Sequence, residues 1–177
     1  MPEKYIENPK TKGSGILCCI PQTGACPNKC LDCFFQSGRS YLEPLDDNLP
    51  NMPAPRSDRI FRINDGNDSN VHRETVISAT VQYPLRFFNT AIPKHLDEFP
   101  GPVVLTLNPG KMTDSEFHKI DPIPKNLMFV RVRTNMYNKW VYSCGKTEGE
   151  KGGGGCRHCG NCLREFFATK ERMEALK

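Results

Sequence analysis

Long apolar runs are missing from this 177-residue chain. No stretch approaches the ~20 residues needed to cross a bilayer. The opening "MPEKYIENPKTKGSG" lacks the apolar centre of a secretory leader. A cytoplasmic protein with no membrane partner is the expectation. Histidine is scarce: His72, His95, His118 and His158 are the four, each isolated, so hydrolysis driven by a His base has little footing. No phosphate-binding glycine loop is present either, because Gly152 to Gly155 have no strand before them. Strong charge is lacking as well. A net charge of +4 permits an anionic partner without requiring one. Cysteine is absent from 34 to 143.

Outside that gap cysteine is abundant. Nine cysteines, an odd number, suit metal or catalytic roles better than disulfides in a reducing compartment. Cys18 and Cys19 precede a first group at Cys26, Cys30 and Cys33, and a second group comprises Cys144, Cys156, Cys159 and Cys162. Two separate metal sites are the economical reading.

Five short apolar runs rich in β-branched and aromatic residues read as strands: "GILCCI" (15–20), "IFRIN" (60–64), "LRFFNTAI" (85–92), "PVVLTLN" (102–108) and "NLMFVRVRTN" (126–135). Helical stretches alternate with them at "VHRETVISATVQY", "KHLDEF" and "TDSEFHKI". Alternation of this kind predicts an α/β fold of mostly parallel strands. Polar residues recur at the strand exits: Asn64, Asn89, Asn108, then Arg133 and Asn135. In parallel α/β folds such exits gather into a ligand-binding rim, although asparagine also favours turns for its own reasons. The proline-rich segment 36–58 reads as a lid, a surface wrap or a solvated connector. After Cys162, "LREFFATKERMEALK" sets Leu163, Phe166, Phe167, Met173 and Leu176 near one face of a docking helix.

"CPNKCLDCFF" (26–35) spaces three cysteines as C-x3-C-x2-C directly after the first expected strand. Three thiolates can take three corners of a 4Fe–4S cubane and leave the fourth iron open. Zinc would want a fourth ligand, which Cys18 or Cys19 could supply. A buried thiol in an apolar run, however, usually behaves as a small hydrophobe.

This motif, placed after a first strand and followed by alternating elements, resembles the radical S-adenosylmethionine (radical SAM) superfamily. The resemblance implies a partial, shortened (β/α) barrel over residues 1–143, with 144–177 as a small Cys-rich, metal-binding appendage ending in a helix. It implies a 4Fe–4S cluster on Cys26, Cys30 and Cys33 that cleaves S-adenosylmethionine to a 5′-deoxyadenosyl radical, which abstracts hydrogen from an unidentified substrate, by analogy a peptide or protein. Such an enzyme is an oxidoreductase or transferase and needs an electron donor such as flavodoxin or ferredoxin. The family's acidic, glycine-containing turn at the second strand exit corresponds to Asp65, Gly66, Asn67 and Asp68, expected to receive the methionine ammonium. Arg133 is the expected carboxylate partner, with Asn89 and Asn108 as further cofactor contacts. The position before the third cysteine, aromatic in the family, is Asp32 here, with Phe34 and Phe35 following.

"CRHCGNC" (156–162) is similar to the cluster-binding run of bacterial ferredoxins, and also to a zinc knuckle. With Cys144 as remote fourth ligand it would hold a second 4Fe–4S cluster or a zinc ion, with no open position. Two other functions fit the cysteines. One is a non-catalytic zinc-binding module that contacts nucleic acid through Lys146, Lys151, Arg157 and Arg164. The other is a two-cluster electron carrier, for which the long α/β stretch between the cysteine groups is superfluous.

Overall fold

A computed structural model describes residues 4–30, 33–107, 123–132 and 156–175. Five strands form one sheet: β1 Ile16–Cys19, β2 Ile60–Ile63, β3 Arg86–Thr90, β4 Val103–Leu107 and β5 Leu127–Val132. They lie in sequential order and every neighbouring pair is parallel. The α/β expectation therefore holds as a five-stranded parallel sheet. Within that sheet β1 and β5 are the edges and do not pair with each other.

Both faces are covered, which is why the strand sequences read as near-continuous apolar runs rather than alternating ones. On the outer face, Phe61, Ile63, Phe88, Val103 and Leu105 pack with Val76 of helix α2 (Arg73–Ala79) and Leu96 of a 3-10 turn (Leu96–Glu98). The inner face carries Ile16, Ile60, Phe87, Val104, Met128 and Phe129, packed with Phe166 from the C-terminal helix. Met128 and Phe129 are sequence neighbours, yet both join this inner cluster. The register slips between Val103 and Val104, so that Val103 opposes Leu127 and Val104 opposes Phe129. Met128 is the extra residue of a bulge.

The C-terminal segment forms α3 (Cys156–Cys159) and α4 (Asn161–Ala175), separated by Gly160 at φ +64°. Phe166 is 1% exposed and Thr169 fully buried, and Arg172 donates to the carbonyls of Lys125 and Leu127. Helix α4 is thus built into the inner-face core. Its buried stripe runs through Leu163, Phe166 and Thr169. Phe167, expected on that stripe, points outward at 53% exposure and meets Phe166 edge-on. At 3.6 residues per turn the position after Phe166 lies ~100° away from it, beyond a stripe centred on Phe166. Leu176 and the boundary at 143/144 lie outside the described residues.

Two helical expectations are shortened. His72 adopts φ +55° and Thr80 leaves helical geometry, which trims the stretch beginning at Val71 to seven residues. Tyr83 then turns into the outer core and stacks on Phe61 at 4.1 Å. The lysine-led stretch 94–99 yields one 3-10 turn after His95, also left-handed. "TDSEFHKI" lies outside the described residues. The proline-rich segment is a wrap. It contains a short helix, α1 (Leu45–Asn48), and an antiparallel bridge from Asn51 to Ile20. Its Leu42 and Leu49 form a third core with Ile20 and Phe35, directly behind the first cysteine loop.

Candidate metal centre

β1 ends at Cys19, and the chain enters the loop carrying Cys26, Cys30 and Cys33 at the carboxyl edge of the sheet. Cys26 is 9% exposed, whereas Cys30 and Cys33 are half-buried. The Cys26 thiol is pushed up to about 11, first by burial and then by the charges of Asp68, Cys30 and Cys33, against a lowering hydrogen bond from the Asn28 backbone. Cys26 therefore feels the charge of both other thiols of its loop. Among the described residues no three Cys, His, Asp or Glu side chains converge closely enough to grip a metal ion. With Zn–S near 2.3 Å, tetrahedral zinc would need its sulfurs drawn to roughly 3.8 Å apart. A polynuclear cluster gives each thiolate its own iron and spaces the ligands more widely. The donor set, three soft thiols on one loop, fits such a cluster.

Asp68 braces this loop. Its Oδ1 accepts from Thr90 Oγ1 (2.6 Å) and the Asn70 backbone N–H (2.8 Å), and its Oδ2 accepts from Asn28 Nδ2 (2.6 Å) and the Ala91 N–H (2.8 Å). Gln22 Nε2 donates to its carbonyl at 2.7 Å. One carboxylate thus ties the cysteine loop, the β2 exit and the β3 exit together. With four donors already on two oxygens it has no capacity left for a fourth metal bond or a ligand ammonium.

The rest of the turn is structural in part. Asn67, at φ +63°, caps the Asp68 N–H with its own Oδ1. A Cβ on Gly66 would sit 2.2 Å from the Phe35 ring, so the glycine exists to let the β2 exit close against the residue two places after Cys33. Asp65 differs. Its Oδ2 accepts from Asn8 Nδ2 and the Tyr41 hydroxyl, each at 2.8 Å, while its buried Oδ1 has no hydrogen-bond partner. Both Tyr5 and Tyr41 are pushed far up, by burial first and then by neighbouring negative charge including Asp65. Cys18 and Cys19 are fully buried. Burial, then the Asp65 charge, drives Cys18 far above its usual range, and burial lifts Cys19 to about 12.

Asn89 does not join the first cysteine group. It faces the inner side of the sheet, donates from Nδ2 to the Asn64 carbonyl at 3.1 Å, and lines a cavity whose opposite wall carries Cys156, Cys159 and Cys162. The C-terminal trio therefore looks into the fold rather than out to solvent. Arg62 and Arg131 line the same cavity. Arg62 is desolvated, yet its guanidinium is held even more firmly protonated than usual by Cys18, Asp65, Cys162 and Cys156. Sequence reasoning passed over both arginines. The signal was there, because an arginine inside "IFRI" or "LMFVRV" interrupts a strand that is otherwise apolar on both faces. Asn108, Arg133 and Cys144 lie outside the described residues.

No family model, curated protein or solved structure matches the chain. Among the described residues no helix is long and apolar enough to cross a membrane.

Proposed function

We propose that this chain is a small radical SAM enzyme in which Cys26, Cys30 and Cys33 hold a 4Fe–4S cluster. The carrying observation is the placement of these three thiols on one loop that leaves the carboxyl end of β1, in a sheet of sequential parallel strands. That strand order is the order of a (β/α) barrel wall, and the five strands serve as its shortened arc. A bound cluster supplies one electron and an iron without a protein thiolate, the chemistry that converts S-adenosylmethionine to methionine and a 5′-deoxyadenosyl radical.

The chain's own residues divide the work around it. Asp68 fixes the loop against β2 and β3 so that the thiols keep their spacing. Of the turn's two acids, Asp65 alone retains an open oxygen, which suits it to accept from the ligand ammonium. Arg133 takes the carboxylate. Cys156, Cys159 and Cys162, with Cys144, hold a second centre, 4Fe–4S or zinc, on the inner face. An electron donor such as flavodoxin or ferredoxin reduces the first centre, and a peptide or protein is the substrate suggested by analogy.

An anaerobic preparation should be brown, and dithionite with S-adenosylmethionine should release 5′-deoxyadenosine. A colourless protein carrying stoichiometric zinc at both cysteine groups would end this reading. One observation favours a second reading, a zinc module on nucleic acid. Phe34 is 47% exposed beside the loop, with Lys10 at 5.6 Å and Arg39 at 5.4 Å from its ring, an aromatic and two cations of the kind that stack a base and meet a phosphate. Retention on single-stranded nucleic acid that is lost in Phe34→Ala would support it.

A further inference from the structure

The C-terminal cysteines and the sheet face each other across the inner-face cavity. Cys156, Cys159 and Cys162 line one side, and Phe87 and Phe129 line the other with Arg62 beside them. The cavity measures about 50 Å³, against roughly 10–15 Å³ for one water, so the trio does not pack flush on the strands. Register sets Arg62 well inside that face, opposite Cys18 on β1 and Phe87 on β3. Neighbouring strand positions on this side are apolar. A desolvated guanidinium among them is costly unless a negative charge answers it.

The charges that bear on Arg62 come from Cys18, Asp65, Cys162 and Cys156. Neither of the first two answers it at contact range. Burial keeps the proton on Cys18, so that sulfur is a neutral thiol. Asp65 accepts from Asn8 and Tyr41 and makes no ion pair with Arg62 within 4.0 Å. The C-terminal thiols remain. Metal binding turns them into thiolates, and three thiolates outweigh the double positive charge of zinc or of an oxidised 4Fe–4S core. A metal centre on this trio is therefore a net anion beside apolar side chains, and the guanidinium across the cavity is placed to offset it. Arg131 borders the cavity as well and is already engaged.

We propose that Arg62 is the positioning residue of the second centre, the outer cation that offsets the thiolates of Cys156 and Cys162 and sets how tightly the C-terminal trio holds its metal. The role rests on reading that trio as a metal centre, and it holds for zinc and for an iron–sulfur cluster alike. Neither the first cysteine loop nor S-adenosylmethionine enters it.

The test is an EDTA challenge of the full chain isolated anaerobically, with elemental analysis of the metal that stays with the protein. Cys159→Ala identifies the share held by the second centre, as the metal that this variant lacks. Arg62→Met should release that share at an EDTA concentration about 10- to 100-fold lower, the usual effect of removing an outer-shell partner. Arg62→Lys keeps the charge and should recover at least half of the shift, whereas Arg62→Gln, polar but uncharged, should recover none. A packing role predicts the reverse order, since the apolar stem of Met suits this face better than an ammonium does. Where Arg62→Met fails to fold, the contrast between the Lys and Gln variants decides alone. Arg62→Met retaining metal like the parent overturns the proposal, and so does Arg62→Lys losing it as readily as Arg62→Gln. Cys159→Ala holding as much metal as the parent would remove the second centre itself, and the role of Arg62 with it.

Discussion

Replacing Asp68 by Asn separates two roles for one carboxylate. The side chain keeps its shape, but one acceptor oxygen becomes an amino group. If that group takes the Oδ1 place it meets Thr90 Oγ1 and the Asn70 N–H. In the Oδ2 place it meets Asn28 Nδ2 and the Ala91 N–H. Thr90 can rotate its hydroxyl and Asn28 can turn its amide, but neither backbone N–H can become an acceptor. Either orientation therefore strands one half-buried backbone donor and removes the charge from the bonds that remain. A stranded donor costs about 1–3 kcal/mol, and a bond to a charged group is worth about 1.5–3 kcal/mol against about 1 for a neutral one. The expected loss is about 3 kcal/mol, a large share of a total of about 5–15 kcal/mol. For a chain of this size that lowers the melting temperature by ~6–12 °C. Urea unfolding followed by circular dichroism measures it directly, with the slope in urea expected unchanged. A variant within about 0.5 kcal/mol of the parent that had lost S-adenosylmethionine binding would refute the bracing role, since Asp68 would then be an open acceptor.

Gly66→Ala should destabilise by at least about 1–3 kcal/mol through overpacking on Phe35, and Phe35→Leu in the same chain should recover part of the loss in a double-mutant cycle. Phe166→Ala removes the ring that joins α4 to the inner face and should cost about 3–5 kcal/mol by chemical unfolding. Cys30→Ala should abolish 5′-deoxyadenosine formation while metal analysis still finds the C-terminal centre filled; loss of both metals together would mean that the two sites fold as one unit. Cys19 titrates near 9.0 ordinarily and near 12 in the fold, where burial favours the neutral thiol. The folded state therefore holds its proton longer, so this contribution is complete below about pH 9 and is lost as pH rises toward 12. Cys19→Ala should flatten the alkaline fall in stability relative to the parent protein, and an identical fall in both proteins would remove Cys19 as a cause.

The strand list was legible because each run is short, apolar and bounded by breakers, and a sheet covered on both faces permits little else at those positions. Phe167 was misjudged for a local reason: two adjacent phenylalanines cannot both face one surface, and only packing against Ile16 and Phe87 selects Phe166. The acidic turn was located correctly in the chain, but its residues are not equivalent. Asp68 is saturated by donors from three segments, two of them more than 20 positions away, whereas Asp65 keeps one open oxygen. Nothing in "NDGNDSN" distinguishes the two.

By itself, the sequence determined the class of fold, the loop that carries three thiols after β1, and the separation of a second cysteine group toward the C-terminus. These follow from local period and spacing, which a chain carries wherever it folds. Tertiary structure alone decided that the second group faces the inner side of the sheet, that Arg62 and Arg131 meet it there beside Asn89, and that Gly66 makes room for Phe35. Those are relations between residues far apart in the chain, created when parallel strands and a C-terminal helix bury one common face.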